Sequence, residues 1–563
     1  MNGGIESLLK HFHDLDHLKS SSHHPYPSNS AEREHVSTTE PGSEPTNVDA
    51  AGKSTGGELP EQERFRRQKL DQMRAAGLDP YTTTFSPDRS IDSIKSEFGG
   101  LEADARTGVT VKVAGRVMLN RVTGKLVFAQ VQDWSGRMQV MISLAEAGEE
   151  ALANWKSFVD LGDQVGVEGE VITSKRGELS VMAKSFVMTS KCLVPLPDQH
   201  YGFNDPEARV RQRYVDLIVN QDSRDILSQR AAMVRTIREY LWNRGFDEVE
   251  TPVLQPIHGG ANARPFETHI NAYDLDIYLR IATELHLKRL LVGGAEKVFE
   301  IGRIFRNEGA DSTHNPEFTS IEIYEAYGNY ETMRVLTQDL IQAAAEAVHG
   351  QQVVRRPLVV DSDAASEADE EPQFELVNIS GEWPVVPMFT AISQKLGQEI
   401  TVHTPLETLR ELAAKVEVAL DPAWDAGHVA LELYEQLVEE TTTTPVFYTD
   451  FPTAVSPLTR AKPDEPLLAE RWDLVAWGAE IGTAYTELTD PLDQRERLTA
   501  QSLLAAAGDE EAMELDDDFL RSLEYGMPPA GGQGMGIDRL IMLLTGKNIR
   551  ETVLFPLVKP DNA

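Results

Sequence analysis

Between Phe299 and Tyr327 the run FEIGRIFRNEGADSTHNPEFTSIEIYEAY sets Arg306 and Glu308 two positions apart, then Phe318, Ser320, Glu322 and Tyr324 two apart each. Side chains at that spacing leave a β-strand on one side, so charged and aromatic groups share one surface. Such a face is costly inside a large domain unless ligands pair its charges. The alternative is a solvated edge hairpin with incidental ion pairs.

Two further stretches carry groups of the same kind. RWDLVAWGAEIGTAYTELTDP reads as one mostly apolar strand with Asp473, Glu480 and Glu487 seven residues apart and Tyr485 between the last two. Hard oxygen ligands of this sort suit Mg²⁺ shared with phosphates, an ion that usually takes only one or two protein carboxylates. GQGMGIDRLIMLL passes from a glycine-rich strand into a helix, with Asp538 placed as its cap and Arg539 in its first turn, a combination suited to an anion. Glu284, alone among apolar residues in LRIATELHLKRLL, is either a helix N-terminal charge or a ligand. IHGGANARPF is glycine-rich but has neither the P-loop Lys-Ser/Thr nor GxGxxG spacing.

The elements that must hold these groups belong to a chain of 563 residues, long enough for two or three domains. A hydrophobic content of 41% with 25% charged residues is that of a globular protein. No run approaches the length of a membrane span, and the start lacks the basic-then-apolar order of a signal peptide, so a cytoplasmic protein is expected. The single cysteine, Cys192, rules out an intramolecular disulfide framework. A net charge of −37 argues against non-specific nucleic-acid binding by the whole chain, yet residues 101–200 hold 11 Lys/Arg against 12 Asp/Glu, so that region is nearly balanced.

Residues 1–58 are Ser-, His-, Pro- and Gly-rich and read as a disordered tail. Residues 59–198 read as a helix followed by a barrel. EQERFRRQKLDQMRAA is a helix closed by Gly77, and from Val109 to Leu193 come three strands, a helix and two strands, the order of a five-stranded OB-fold. On that barrel Phe128, Gln139 and Glu178 could supply a stacking ring, a base-edge amide and an acceptor, or could each be structural. LVPLPDQHYGFNDPEARVRQRYVDL reads as an interdomain hinge, and residues 199–563 as the larger domain. In it a helix carries the apolar stripe Leu227, Ala231, Val234, Ile237 and Leu241; an acidic insert follows near 360–373 and a helical insertion near 404–440.

Taken together these residues resemble the class II aminoacyl-tRNA synthetases, and within them the lysyl-tRNA synthetases. FRNEG with the later HNPEF resembles the second signature of that class, GMGIDR the third, and the long helix with Pro252 the first; the order is right and the match covers residues 61–559. The resemblance implies an α+β fold, an antiparallel catalytic sheet of about six or seven strands flanked by helices and preceded by the OB barrel, in a homodimer. It implies that Arg306 bridges the ATP α-phosphate and the lysine carboxylate, that Glu308 meets adenine, that Phe318 stacks on it, and that His314 and Arg539 hold the outer phosphates. It implies Mg²⁺ on Asp473 and Glu480, the lysine α-ammonium at Gly260 and Glu284, and the side-chain ammonium at Glu322, Tyr324 and Glu487, with Thr483 and Tyr485 completing the lysine pocket. Phe128, Gln139 and Glu178 fall where the family reads the anticodon of tRNA(Lys).

Two positions depart from the family pattern. Thr483 stands where Asn is usual, and Asp473 where Glu is usual, one methylene shorter. The expected reaction is activation of L-lysine by ATP and transfer to the 3′ end of tRNA. The rivals are a lysine ligase for a protein acceptor, which would lack the OB barrel, and a non-catalytic RNA-binding paralogue, which would be expected to have lost a phosphate Arg or a metal acid. A lysine-transferring membrane enzyme would need spanning helices.

Overall fold

Alternating apolar residues close the first part of the chain into a barrel. β1 (Arg106–Thr123), β2 (Leu126–Gln132), β3 (Arg137–Ser143), β4 (Gln164–Thr173) and β5 (Leu179–Ser190) pair in the order β1-β2-β3-β5-β4, with β4 returning to β1. Val113, Val127, Val131, Val140, Val167 and Val181 fill the inside, each exposed by 1% or less. The intervening helix, α2 (Leu144–Phe158), packs Trp155 against this core, where its indole N–H donates to Asn120 Oδ1 at 3.1 Å. α1 (Glu61–Ala75) lies against the same barrel. Its basic bias is partly spent there, since Arg66 donates to the Cys192 carbonyl at 3.0 Å and Lys69 pairs with Asp160 at 2.6 Å.

The computed structural model describes residues 47–48, 54–55, 59–197, 203–311, 313–357, 374–506, 508 and 511–560. The tail expected over 1–58 and the acidic insert near 360–373 lie outside these residues, save for a short pairing of Asn47–Val48 with Ser54–Thr55. Among the described residues no helix is long and apolar enough to cross a membrane.

The larger part is built on one eight-stranded sheet. Its strands are β6 (Asp247–Glu248), β10 (Lys297–Phe305), β11 (Glu317–Ala326), β12 (Val385–Pro387), β13 (Val446–Thr449), β14 (Arg471–Ala476), β15 (Ala479–Thr486) and β16 (Ala530–Gly536), in the order β12-β13-β14-β15-β16-β11-β10-β6. The six central strands are antiparallel, as expected, while the short β12 and β6 add parallel pairings at the two edges. Beside it β7 (Leu254–Gln255), β8 (Phe266–Ile270) and β9 (Leu275–Leu279) make a three-stranded sheet. One face of the main sheet packs on α3 (Gln221–Trp242) and α5 (Tyr330–His349), with α4 (Glu284–Val292) on the other side of the site. Ile321, Ile323 and Phe299 are fully buried in that core, and Ile321→Ala would cost about 2–5 kcal/mol through the cavity it leaves.

Three expectations need correcting. The stretch RWDLVAWGAEIGTAYTEL is a hairpin, not one strand: β14 and β15 meet at Trp477 and Gly478, both at positive φ (53° and 74°), a turn that a Trp conceals. Asp538 does not cap the helix it lies in, α6 (Ile537–Thr545), whose N-cap is Gly536; its carboxylate instead takes the Thr319 N–H at 2.6 Å and pairs with Arg230. The buried stripe of α3 is Ile226, Met233, Ile237 and Leu241, with Ala231 exposed. At the end of the stretch expected to be the interdomain hinge and just past it, Asp216 accepts from Arg209 at 2.8 Å, Ser223 at 2.7 Å and Asn220 at 2.7 Å, and Gln132 of the barrel donates to the Ile218 carbonyl at 3.0 Å.

Candidate active site

The antiparallel pairing of β10 with β11 and of β11 with β16 carries the alternating residues of the charged hairpin to one side of the sheet. β10 ends at Phe305, so Arg306 and Glu308 lie just beyond it in the turn, and the Arg306 amide returns to the Pro316 carbonyl at 2.9 Å. There a cavity of about 480 Å³ is lined by Gly260, Glu284, Arg306, Glu308, His314, Phe318, Glu322, Tyr324, Glu480, Thr483, Tyr485 and Arg539. Asp473 and Glu487 stand behind this lining, 3% and 1% exposed. The solvated edge hairpin is therefore excluded. Phe128, Gln139 and Glu178 lie apart on the barrel.

One end of the cavity is cationic and aromatic. The Arg306 guanidinium lies 5.3 Å from the Phe318 ring centroid, and burial lowers its pKa. Arg539 donates to the Glu480 carbonyl at 2.8 Å, which anchors the side chain at the start of α6. His314 is half-exposed in the turn and bonds Asp311 at 2.9 Å.

The other end is acidic. Glu322 accepts the Thr283 N–H at 2.8 Å and the Tyr324 hydroxyl at 3.2 Å. Burial pushes Glu322 up to about 7 and Glu487 up to about 8, and raises Glu284 as well. Glu487 has no well-aligned hydrogen bond to either oxygen among the described residues. Gly532 makes room for it: a Cβ there would lie 2.0 Å from Glu487 Oε1 and 2.4 Å from the Tyr324 ring. The sequence reading missed the cation of this end. Lys288, one turn after Glu284 on α4, is fully buried, with Nζ 2.6 Å from Glu284 and 2.5 Å from Glu487. Its only signal was the i, i+4 spacing to Glu284.

A third group of acids stands between. Asp473 is held by Arg471 through bonds of 2.9 and 2.7 Å, and its Oδ1 also accepts the Thr483 hydroxyl at 2.6 Å. Asp473 and Thr483 face each other across β14 and β15, so the two departures from the family pattern are direct partners. Glu435 and Glu439, which the sequence reading passed over, close on the same group, pushed up by burial to about 7 and about 8. The Glu480 carboxylate is raised first by burial and then by Asp473, and accepts no hydrogen bond among the described residues. Four acids against Arg471 and Arg539 are a donor set that a divalent cation would relieve, with Glu480 open to it and Asp473 already committed. No three His, Cys, Asp or Glu converge as a metal cage among the described residues; Glu480 with Asp473 beside it would suit a cation that takes its other ligands from phosphate.

On the barrel, Gln130 faces Gln139 and Gln139 faces Ser180, which sets Phe128, Gln130 and Gln139 on one outer face while Val127, Ala129 and Val131 point inward. Gln139 donates to Ser180 Oγ at 2.8 Å, and that hydroxyl donates to the Glu178 carbonyl at 2.9 Å. Gln139 is thus linked through Ser180 to the Glu178 backbone, on the barrel face that also carries Phe128.

Comparison with known proteins agrees with both halves. Residues 205–559 match the family model described as tRNA synthetases class II (D, K and N), and residues 111–188 the model of the OB-fold nucleic acid binding domain. The lysylphosphatidylglycerol biosynthesis bifunctional protein LysX of Rhodococcus opacus is 53% identical over 507 residues, covering 90% of this chain and 44% of the relative. The proteins of that name from Nocardia farcinica and Mycobacterium avium are 53% and 51% identical over 506 and 502 residues, covering 90% and 89% of this chain and 43% and 41% of theirs. The chain thus spans less than half the length of the curated relatives it matches. The sheet, the cavity upon it and a family model over most of the chain lead to one assignment: the chain belongs to the class II (D, K and N) tRNA synthetases.

Proposed function

We propose that this chain activates L-lysine with ATP and transfers the lysyl group to the 3′ end of tRNA(Lys). The observation that carries it is the joining, in one cavity, of the Arg306, Arg539 and Phe318 end to a buried acidic end, with Glu284, Glu322 and Tyr324 in the lining and Glu487 behind it. Buried acids without their ammonium partner reject a substrate that lacks it, a discrimination that can reach about 10⁴ to 10⁵.

In this reading Phe318 stacks on adenine, Glu308 takes its amino group, and His314 and Arg539 hold the outer phosphates. Arg306 draws the lysine carboxylate and the α-phosphate together, so that the carboxylate attacks phosphorus in line and pyrophosphate leaves. Gly260 and Glu284 take the α-ammonium; Glu322, Tyr324 and Glu487 take the side chain; Tyr485 walls the pocket. Thr483, turned to Asp473, contributes by fixing that acid. Glu480, with Asp473 beside it, would hold Mg²⁺, which when bound neutralises charge on the phosphate oxygens. Phe128, Gln139 and Glu178 read the anticodon. A homodimer belongs to the proposal, supported by exposed Trp242, Leu254, Tyr273 and Leu275 on α3 and the β7–β9 sheet.

A second reading comes from the relatives, whose printed name concerns lysylphosphatidylglycerol: the lysine activated here would end on a lipid. The OB barrel favours tRNA as the immediate acceptor over a protein or lipid taken directly. Incubating the purified chain with ATP and labelled lysine, and offering purified tRNA, phosphatidylglycerol vesicles or protein in separate reactions, tests this. Label on tRNA is expected; label on vesicles or protein without tRNA would refute it.

A further inference from the structure

Lys288 is 0% exposed and reaches three acceptors at once, Glu284 Oε1 at 2.6 Å, Glu487 Oε2 at 2.5 Å and the Leu458 carbonyl at 3.3 Å. It has climbed from one turn of α4 to the segment after β15, and so ties together the two acids that would serve opposite ends of a bound lysine. We propose that Lys288 is a built-in counter-ion and positioning residue of the ammonium site, one that holds Glu284 and Glu487 spaced for a substrate carrying two ammonium groups. This rests on the lysine reading above and deepens it.

The groups that face this ammonium can be followed element by element. α4 supplies Glu284; β11 supplies Glu322 and Tyr324; the segment just after β15 supplies Glu487, and β15 itself carries Tyr485. On α4 itself, Arg289 is engaged with Asp516 at 2.9 Å, and His286 approaches Gln255 at 3.4 Å. Arg306 and Arg471 line other parts of the cavity. Lys288 is thus the cation in contact with the acidic end among the described residues. With it, the three carboxylates carry two net negative charges when ionised, matching the α- and side-chain ammonium groups of lysine.

Even with Lys288 in place burial lifts Glu322 and Glu487 into the neutral range, and loss of the neighbouring ammonium would raise Glu487 and Glu284 further. The acids would then ionise only at higher pH than in the wild-type chain, and would draw an ammonium less well at a given pH. A purely structural ion pair would instead affect both substrates and the fold together.

The experiment measures lysine-dependent ATP–pyrophosphate exchange by the wild-type chain, Lys288→Met and Lys288→Gln from pH 6 to 9, with ATP affinity by calorimetry as the check on folding. The expected result is a KM for lysine raised by at least about tenfold in the variant that binds ATP normally, with KM for ATP unchanged. The pH at which lysine KM falls should also move upward by at least about one unit. An unchanged lysine KM with an unchanged pH profile would overturn the proposal, as would parallel losses for lysine and ATP in both variants. A wild-type chain with no lysine-dependent exchange would overturn the lysine reading itself, an outcome distinct from wild-type activity with indifferent variants.

Discussion

Glu322→Gln is the substitution whose effect follows most directly from the geometry. Glu322 is 8% exposed, and its oxygens are set by the Thr283 amide at 2.8 Å and the Tyr324 hydroxyl at 3.2 Å. Glutamine keeps a carbonyl oxygen for the amide and the same volume, so the fold should persist; what is lost is a charge facing the lysine ammonium. Removing one partner of a desolvated charge pair costs about 2–5 kcal/mol, which is about 30-fold to several thousandfold in kcat/KM for lysine. The effect has a pH signature. Glu322 and Glu487 stand at about 7 and about 8 in the fold against an ordinary 4.5, so the folded protein holds more protons than the unfolded chain across that window. Without ligand, stability contributed by these groups is full below 4.5 and is lost as pH rises through 7 and 8. Lysine needs the ionised acids, so its binding should tighten over the same rise, and the variant should lose the lower part of that dependence. Exchange assays in lysine, with thermal melts at each pH, measure both. A lysine KM within about twofold of wild type, with the pH dependence intact, would show that Glu322 does not meet the substrate.

Phe318→Ala should raise the KM for ATP by about 5- to 150-fold, the equivalent of a lost stack of about 1–3 kcal/mol, while the KM for lysine holds; steady-state exchange at varied ATP checks it. Phe128→Ala should weaken tRNA charging by a similar factor and spare lysine–ATP exchange, because the barrel face lies outside the cavity; equal loss in both assays would remove the anticodon role. Thr483→Val deletes a hydroxyl donating to Asp473 at 2.6 Å, and urea unfolding should report a loss of about 1–3 kcal/mol.

The residues with the clearest chemistry were legible because a strand has period two: Phe318, Ser320, Glu322 and Tyr324 could reach the cavity only together. The barrel was legible for the same reason, its valines alternating with polar residues. Lys288 was not legible, because a lysine one turn after a glutamate on a helix reads as a solvated pair, and only the packing of α4 under the segment after β15 makes it a buried one. Arg471 hid likewise: its partner Asp473 is two residues along the same strand, and the need for it appears only when β14 and β15 fold together at Trp477 and Gly478. That turn was concealed because Trp is seldom found at positive φ. Asp538 looked like a cap, and the fold spends it on Arg230 and the Thr319 amide instead, since Gly536 already begins the helix.

The central claim is that the acidic end of the cavity selects lysine for activation by ATP. ATP–pyrophosphate exchange by the purified chain, with each standard amino acid supplied singly at equal concentration, tests it. Exchange with lysine alone, exceeding the uncharged analogue norleucine by about 10⁴ or more in kcat/KM, is the predicted result; exchange with aspartate or asparagine in place of lysine, or equal rates for lysine and norleucine, would contradict it.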